Sequence, residues 1–151
     1  MDLSRDHILG NPAAEITVVE YGSYACPYCH AAHEIIASLR DRFGDRMRYV
    51  FRHRPITGSG EAERAAELAE YAYETTGHFW TAHDVLMKRG PTFAPGDFED
   101  IAADLNLPRC DEASAPADRN ARRRLREEQR GDPVQARGRW CRARPGARRS
   151  G

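Results

Sequence analysis

The first apolar run, Ile16-Thr17-Val18-Val19-Glu20-Tyr21, is short and mostly β-branched, which predicts a strand. Gly22-Ser23 then turns the chain. From Ala31 to Phe43, Ala32, Ile35, Ile36, Leu39 and Phe43 recur at helical spacing, and Gly44 suits the position just past a helix end. From Arg46 to His53 the pattern alternates, with Met47, Tyr49 and Phe51 on one face, and predicts a second strand ending before Pro55. Strand, helix and strand in about 40 residues make a βαβ unit with two parallel strands. Next, Ala62, Ala65, Ala66, Ala69, Ala72 and Tyr73 form one helical stripe, stopped by Gly77. Phe79, His83, Leu86 and Met87 predict a shorter helix. Asp97 is the expected N-cap of a third, whose inner face carries Phe98, Ile101, Ala102 and Leu105.

After Pro108 the apolar signal collapses, and only Leu125, Val134 and Trp140 are large and apolar. Ala121 to Arg130 is compatible with a helix, but from Gly131 onward Arg, Gly and Pro follow without period. Such a composition buries too little apolar surface to offset the entropy of ordering. Charge marks the same boundary. The net charge of zero cancels 17 acids and 10 bases in residues 1–107 against 6 acids and 13 arginines in 108–151. The expected organisation is one domain over 1–107, with helices from about 58 to 107, and an Arg-rich, poorly ordered tail over 108–151. Met1 to Glu15 is polar, broken by Gly10-Asn11-Pro12, and has no apolar stretch of the kind an export signal needs. No run nears the roughly 18 apolar residues of a membrane span. The expected location is therefore the cytoplasm, where a catalytic disulfide is favoured over a lasting structural one; a misannotated start or a missing fusion partner would place the chain outside the cytoplasm.

Cys26-Pro27-Tyr28-Cys29 lies between the first strand and the first helix, and that context specifies chemistry. With Cys26 as N-cap, Pro27 falls at N1, where its fixed φ and missing N–H are favourable. The Cys26 sulfur then faces unpaired helix N–H groups and the positive end of the dipole, which favour a thiolate. Cys29 lies on the inward stripe, bordered by His33. An open attacking thiol and a shielded resolving thiol suit thiol–disulfide exchange. Two rivals share these residues. Cys26, Cys29, His30 and His33 offer four zinc donors, but the two histidines splay around a helix instead of closing a tetrahedron. Cys26 to His30 also matches the C-x-x-C-H string of c-type haem attachment, which the strand–turn–helix context does not support. No metal or cofactor is expected beyond the dithiol itself.

Val19-Glu20-Tyr21, Cys26-Pro27-Tyr28-Cys29 and Phe51-Arg52-His53, followed by the Ala/Glu-rich helix and Phe79-Trp80, resemble the DsbA-like branch of the thioredoxin superfamily. The resemblance spans roughly residues 6–107. It implies an α/β thioredoxin-like fold with an inserted helical subdomain, and a protein disulfide oxidoreductase acting through Cys26 and Cys29. Its partners would be protein thiols or disulfides and a separate redox partner. Glu20, six residues before Cys26, matches the superfamily's buried acid beneath the dithiol, and the implied role is proton acceptor for Cys29. Pro27, Tyr28 and His30 are the expected tuning residues, His30 through local charge. Phe79 and Trp80 are expected in the core of the helical insert, and His53 as a plain strand-end residue.

The resemblance stops where family members carry a cis-proline loop, a β-hairpin and a last helix. Gly90-Pro91 falls between two helices of the insert, and Pro133 leads into Arg- and Gly-rich chain, so the hairpin is expected to be missing or replaced. With 22 arginines in the whole chain against Lys88 alone, the basic composition resembles translated GC-rich DNA, which suggests a shifted reading frame after about Leu107. A nucleic-acid arm is the rival, but only Trp140 interleaves the basic residues, so nucleic acid is not the expected partner. Cys110 and Cys141 read as incidental thiols. The alternative function is a catalytically impaired fragment or a protein-binding module of the same fold.

Overall fold

The structure, a computed structural model, describes residues 6–55, 59–94, 96–108 and 115–128. Strand β1 (His7–Gly10) precedes β2 (Ile16–Gly22), helix α1 (Pro27–Phe43) and β3 (Met47–His53). Four more helices follow: α2 (Gly60–Thr76), α3 (Phe79–Arg89), α4 (Asp97–Asp104) and α5 (Ala115–Glu128). The sheet order is β1-β3-β2. β2 runs parallel to β3 in the register Ile16↔Met47 to Gly22↔His53, as the βαβ reading predicts. β1 pairs antiparallel with the other side of β3, from His7↔Phe51 to Gly10↔Arg48. The sequence pattern does not predict this strand, because four residues are too few to show a period.

β3 is the central strand and is covered best. Met47, Tyr49, Val50 and Phe51 are all buried. Tyr49 and Phe51 meet Tyr24, Leu68, Phe79, Leu86, Phe98 and Ile101 in one apolar cluster, so the insert and the sheet share a core. Phe79 is buried as expected, and Trp80 lies at the cluster's edge with its indole N–H donated to Ile8 O at 3.2 Å. Ser59 caps α2 by accepting from Ala62 N at 3.2 Å, and Gly77 ends it in the left-handed region at φ 75°.

Three expectations change. The N-cap of α4 is Gly96, and Asp97 is the first helical residue; its carboxylate accepts from Ala94 N at 2.7 Å and from Arg89 at 2.6 Å. Helix α1 has no fully buried residue, and Ile35 is 61% exposed, because α1 makes few contacts with α3 and β3. A domain edge at 107 also leaves out α5, which packs along α2 and buries Ala121 and Leu125. The apolar content of 108–151 is low, yet these two residues sit four apart on one helix face and need only one partner. Among the described residues no hairpin follows the insert, and Pro133 and Cys141 lie outside them, as does Cys110.

Gly22 ends β2 immediately before the dithiol turn. A Cβ there would clash with Phe51 Cε2 and fall 2.7 Å from Glu20 Oε1. The Phe51 ring is locked in the core and has nowhere to move. Gly22→Ala is therefore expected to destabilise the fold by about 1–3 kcal/mol, seen as a lower urea midpoint at unchanged slope.

Candidate active site

The turn from Gly22 to Ala25 delivers the dithiol to the mouth of α1. Cys26 is the N-cap with extended backbone (φ −102°, ψ 116°), and Pro27 opens the helix. Cys26 N donates to Ser23 O at 3.1 Å, and Cys26 O accepts from Cys29 N and His30 N. The helix N–H groups make no hydrogen bond to a capping side chain. The sulfur therefore sits at the helix start, where the dipole acts on it, but not as a hydrogen-bonded cap. Tyr24 pins the turn: it is fully buried, and its hydroxyl lies 3.1 Å from His83 Nδ1.

His30 is a structural clamp. Its Nε2 lies 2.6 Å from Tyr24 O and its Nδ1 2.5 Å from Met87 O, so one imidazole ties the dithiol turn and α1 to α3. Both ring nitrogens face backbone carbonyl oxygens, so neither is turned toward the four-donor zinc site considered from the sequence. Pro27 and Tyr28 lie at the surface, Tyr28 at 85% exposure.

Cys26 and Cys29 are both free thiols, close enough for their side chains to hydrogen-bond. Ser23 N donates to Cys29 Sγ at 3.5 Å. The Cys29 thiol is pushed up to about 12: burial is the main cause, the neighbouring Cys26 and the Glu20 charge add to it, and the Ser23 N–H opposes it. Glu20 is half-buried on β2; its Oε2 accepts from Tyr49 Oη at 2.8 Å, while Oε1 is buried with no partner among the described residues. Burial first, then Glu20, hold the Tyr49 phenol well above its usual range. The structure thus brings Cys26, Cys29, Glu20, Pro27, Tyr28 and His30 to one end of β2 and α1. With Cys29 so raised, a thiol-alkylating reagent is expected to leave Cys29 of the reduced chain unmodified at pH 7–8 and to reach it only as the pH approaches 12. Peptide mapping after timed labelling reads this directly.

One polar centre has no counterpart among the sequence expectations. Glu70 on α2 is completely buried, and Oε1 accepts from His7 Nε2 at 2.6 Å and His53 Nε2 at 3.0 Å. Its Oε2 accepts from Arg124 Nε of α5 at 2.8 Å. His53 is thus a buried partner of Glu70 and not a plain strand end. A signal exists in the sequence: Glu63, Glu67 and Glu70 are spaced 4 and 3 apart beside the Ala stripe, and all three are buried.

The strand–turn–helix presentation of the dithiol agrees with what sequence comparison finds. A family model described as thioredoxin matches residues 2–135. The chain belongs to the thioredoxin family. Among solved structures, this thioredoxin-family chain is similar to a thioredoxin-like oxidoreductase from Silicibacter pomeroyi, with 28% identity and a TM-score of 0.67 over 83% of this chain and 71% of that one. It shares the fold of α-DsbA1 from Wolbachia pipientis, with 22% identity and a TM-score of 0.66 over 86% of this chain and 67% of that one. The fold is thus DsbA-like, with a small mixed sheet and five helices among the described residues. A curated relative is 52% identical over 107 residues: the Na(+)/H(+) antiporter NhaA of Nitrosospira multiformis. That alignment covers 71% of the thioredoxin-family chain but 17% of the antiporter, so this chain spans about a sixth of that relative. No helix among the described residues is long and apolar enough to cross a membrane.

Proposed function

We propose that this chain is a thiol–disulfide oxidoreductase that exchanges disulfides with protein substrates through Cys26 and Cys29. The observation that carries the reading is the asymmetry of the pair. Cys26 stands at the helix mouth beside the exposed Pro27-Tyr28, while Cys29 lies behind it under Ser23 N–H with its proton held tightly. In the oxidising direction, a substrate thiolate attacks Cys26 Sγ of the Cys26–Cys29 disulfide, and Cys29 leaves as a thiolate that takes up a proton. A second substrate thiolate then attacks the substrate sulfur and expels Cys26, so the substrate loses two electrons and the dithiol gains them. In the reducing direction Cys29 must first lose its proton. Glu20 supports that step: its carboxylate is near enough to raise Cys29 electrostatically, and its buried Oε1 has no partner among the described residues.

The test is turnover of a peptide carrying an internal disulfide with a fluorescence readout, in a glutathione buffer. The chain should accelerate exchange, and Cys26→Ser should reduce it to the buffer rate. Equal rates for the two chains would defeat the reading and leave a protein-binding module of the same fold.

A further inference from the structure

We propose that His33, His83 and Asp84 form a binding site for a divalent transition-metal ion, of the zinc class, between α1 and α3. One imidazole nitrogen from each histidine and one carboxylate oxygen of Asp84 lie within 4.8 Å of one another. His33 Nε2 is 3.6 Å from Asp84 Oδ1 and its ring centroid is 5.5 Å from that of His83. The second observation is His83 itself. It is 1% exposed, packed edge-on against Phe51 and Trp80, and its Nε2 is buried with no hydrogen-bond partner among the described residues. A buried ring nitrogen without a partner is uncommon and asks for an explanation.

A metal ion supplies one. His83 Nδ1 lies 3.1 Å from Tyr24 Oη. If the ring donates there, the lone pair sits on Nε2, and an outer hydrogen bond of this kind fixes the tautomer of a metal-binding histidine. The donors lie farther apart than in a closed site, but His33 and Asp84 have side-chain exposures of 18% and 52% and can swing inward. Two imidazoles and one carboxylate suit zinc or its neighbours better than calcium or magnesium, and leave a position for water. His33 is one helical turn beyond Cys29, so a bound ion would tie the dithiol helix to the insert at a second point beside His30.

The test titrates Zn2+ alone, in competition with a chromogenic chelator at pH 7.5, into the full chain carrying Cys26→Ser and Cys29→Ser to remove the thiol donors. One saturable equivalent is expected. Adding His33→Gln or Asp84→Asn, at positions exposed enough to preserve the fold, should weaken binding by about 100-fold or more, since even outer partners of metal ligands are worth 10–100-fold. Imidazole nitrogen NMR should show the His83 Nε2 resonance displaced by Zn2+. Absence of saturable binding, or equal binding after both substitutions, would overturn the site. An unmoved His83 resonance would do the same. Because the thiols are absent, these outcomes do not bear on the exchange reaction.

Discussion

Cys29→Ser should convert a catalyst into a trap. Cys26 remains at the helix mouth and still attacks a substrate disulfide, but no second thiol is left to resolve the product. A covalent complex between Cys26 and a substrate cysteine is expected to accumulate to near stoichiometry with a small disulfide substrate, visible as a mass increase that a reductant reverses. Cys26→Ser should form no such adduct, and turnover should fall to background, because the remaining thiol lies behind the helix mouth and its burial, the main cause that raises it, still favours the protonated form. The two variants therefore differ in kind. If Cys29→Ser forms no adduct, or if Cys26→Ser forms one equally well, the assignment of attacking and resolving sulfurs is wrong.

The second large effect lies away from the dithiol. Glu70 gathers His7 from β1, His53 from β3 and Arg124 from α5 on a single carboxylate. Glu70→Ala would leave these donors facing a cavity inside the protein, and removing one partner of a buried pair costs about 3–5 kcal/mol. For a domain of marginal stability that is enough to unfold much of the population. The fall in thermal midpoint reads it, and a loss under about 1 kcal/mol would show that the cluster is not a staple. Acid probes the same group. Burial alone raises the Glu70 carboxyl, but hydrogen bonds from His53 and His7, reinforced by their charge, outweigh it and hold the group well below the usual carboxylate range. A depressed folded value stabilises the protein above the unfolded value of about 4.3, and that stabilisation is lost as pH falls below it. Glu70→Gln should flatten the acid limb of the stability curve while lowering the plateau.

The parts of the fold legible in the sequence are those whose physics is local. The βαβ unit is legible from the alternation of Met47, Tyr49 and Phe51 and the helical spacing after Cys29, and the insert helices from their apolar stripes. The dithiol is legible because Cys-Pro-x-Cys between a strand and a helix has few other meanings. What stays hidden depends on contacts distant in sequence. β1 exists because β3 has a free edge for it, and α5 because α2 offers a face to Ala121 and Leu125. His30 reads in the sequence as a charge beside the thiols, yet its tie to Met87 O bridges 57 residues, and no spacing rule reaches that far. Low apolar content after Pro108 is a fair guide to average order, but it cannot tell a helix that borrows a core from one that needs its own.

The proposed activity requires that Cys26 and Cys29 interconvert reversibly between dithiol and disulfide under biological conditions. Equilibrating the chain in glutathione buffers of graded potential, quenching with acid and counting free thiols by mass spectrometry tests it most directly. A single two-electron transition at Cys26–Cys29, within about −270 to −120 mV, is the predicted result. Two thiols that stay reduced across the whole range, or that pair only with glutathione and never with each other, would contradict it.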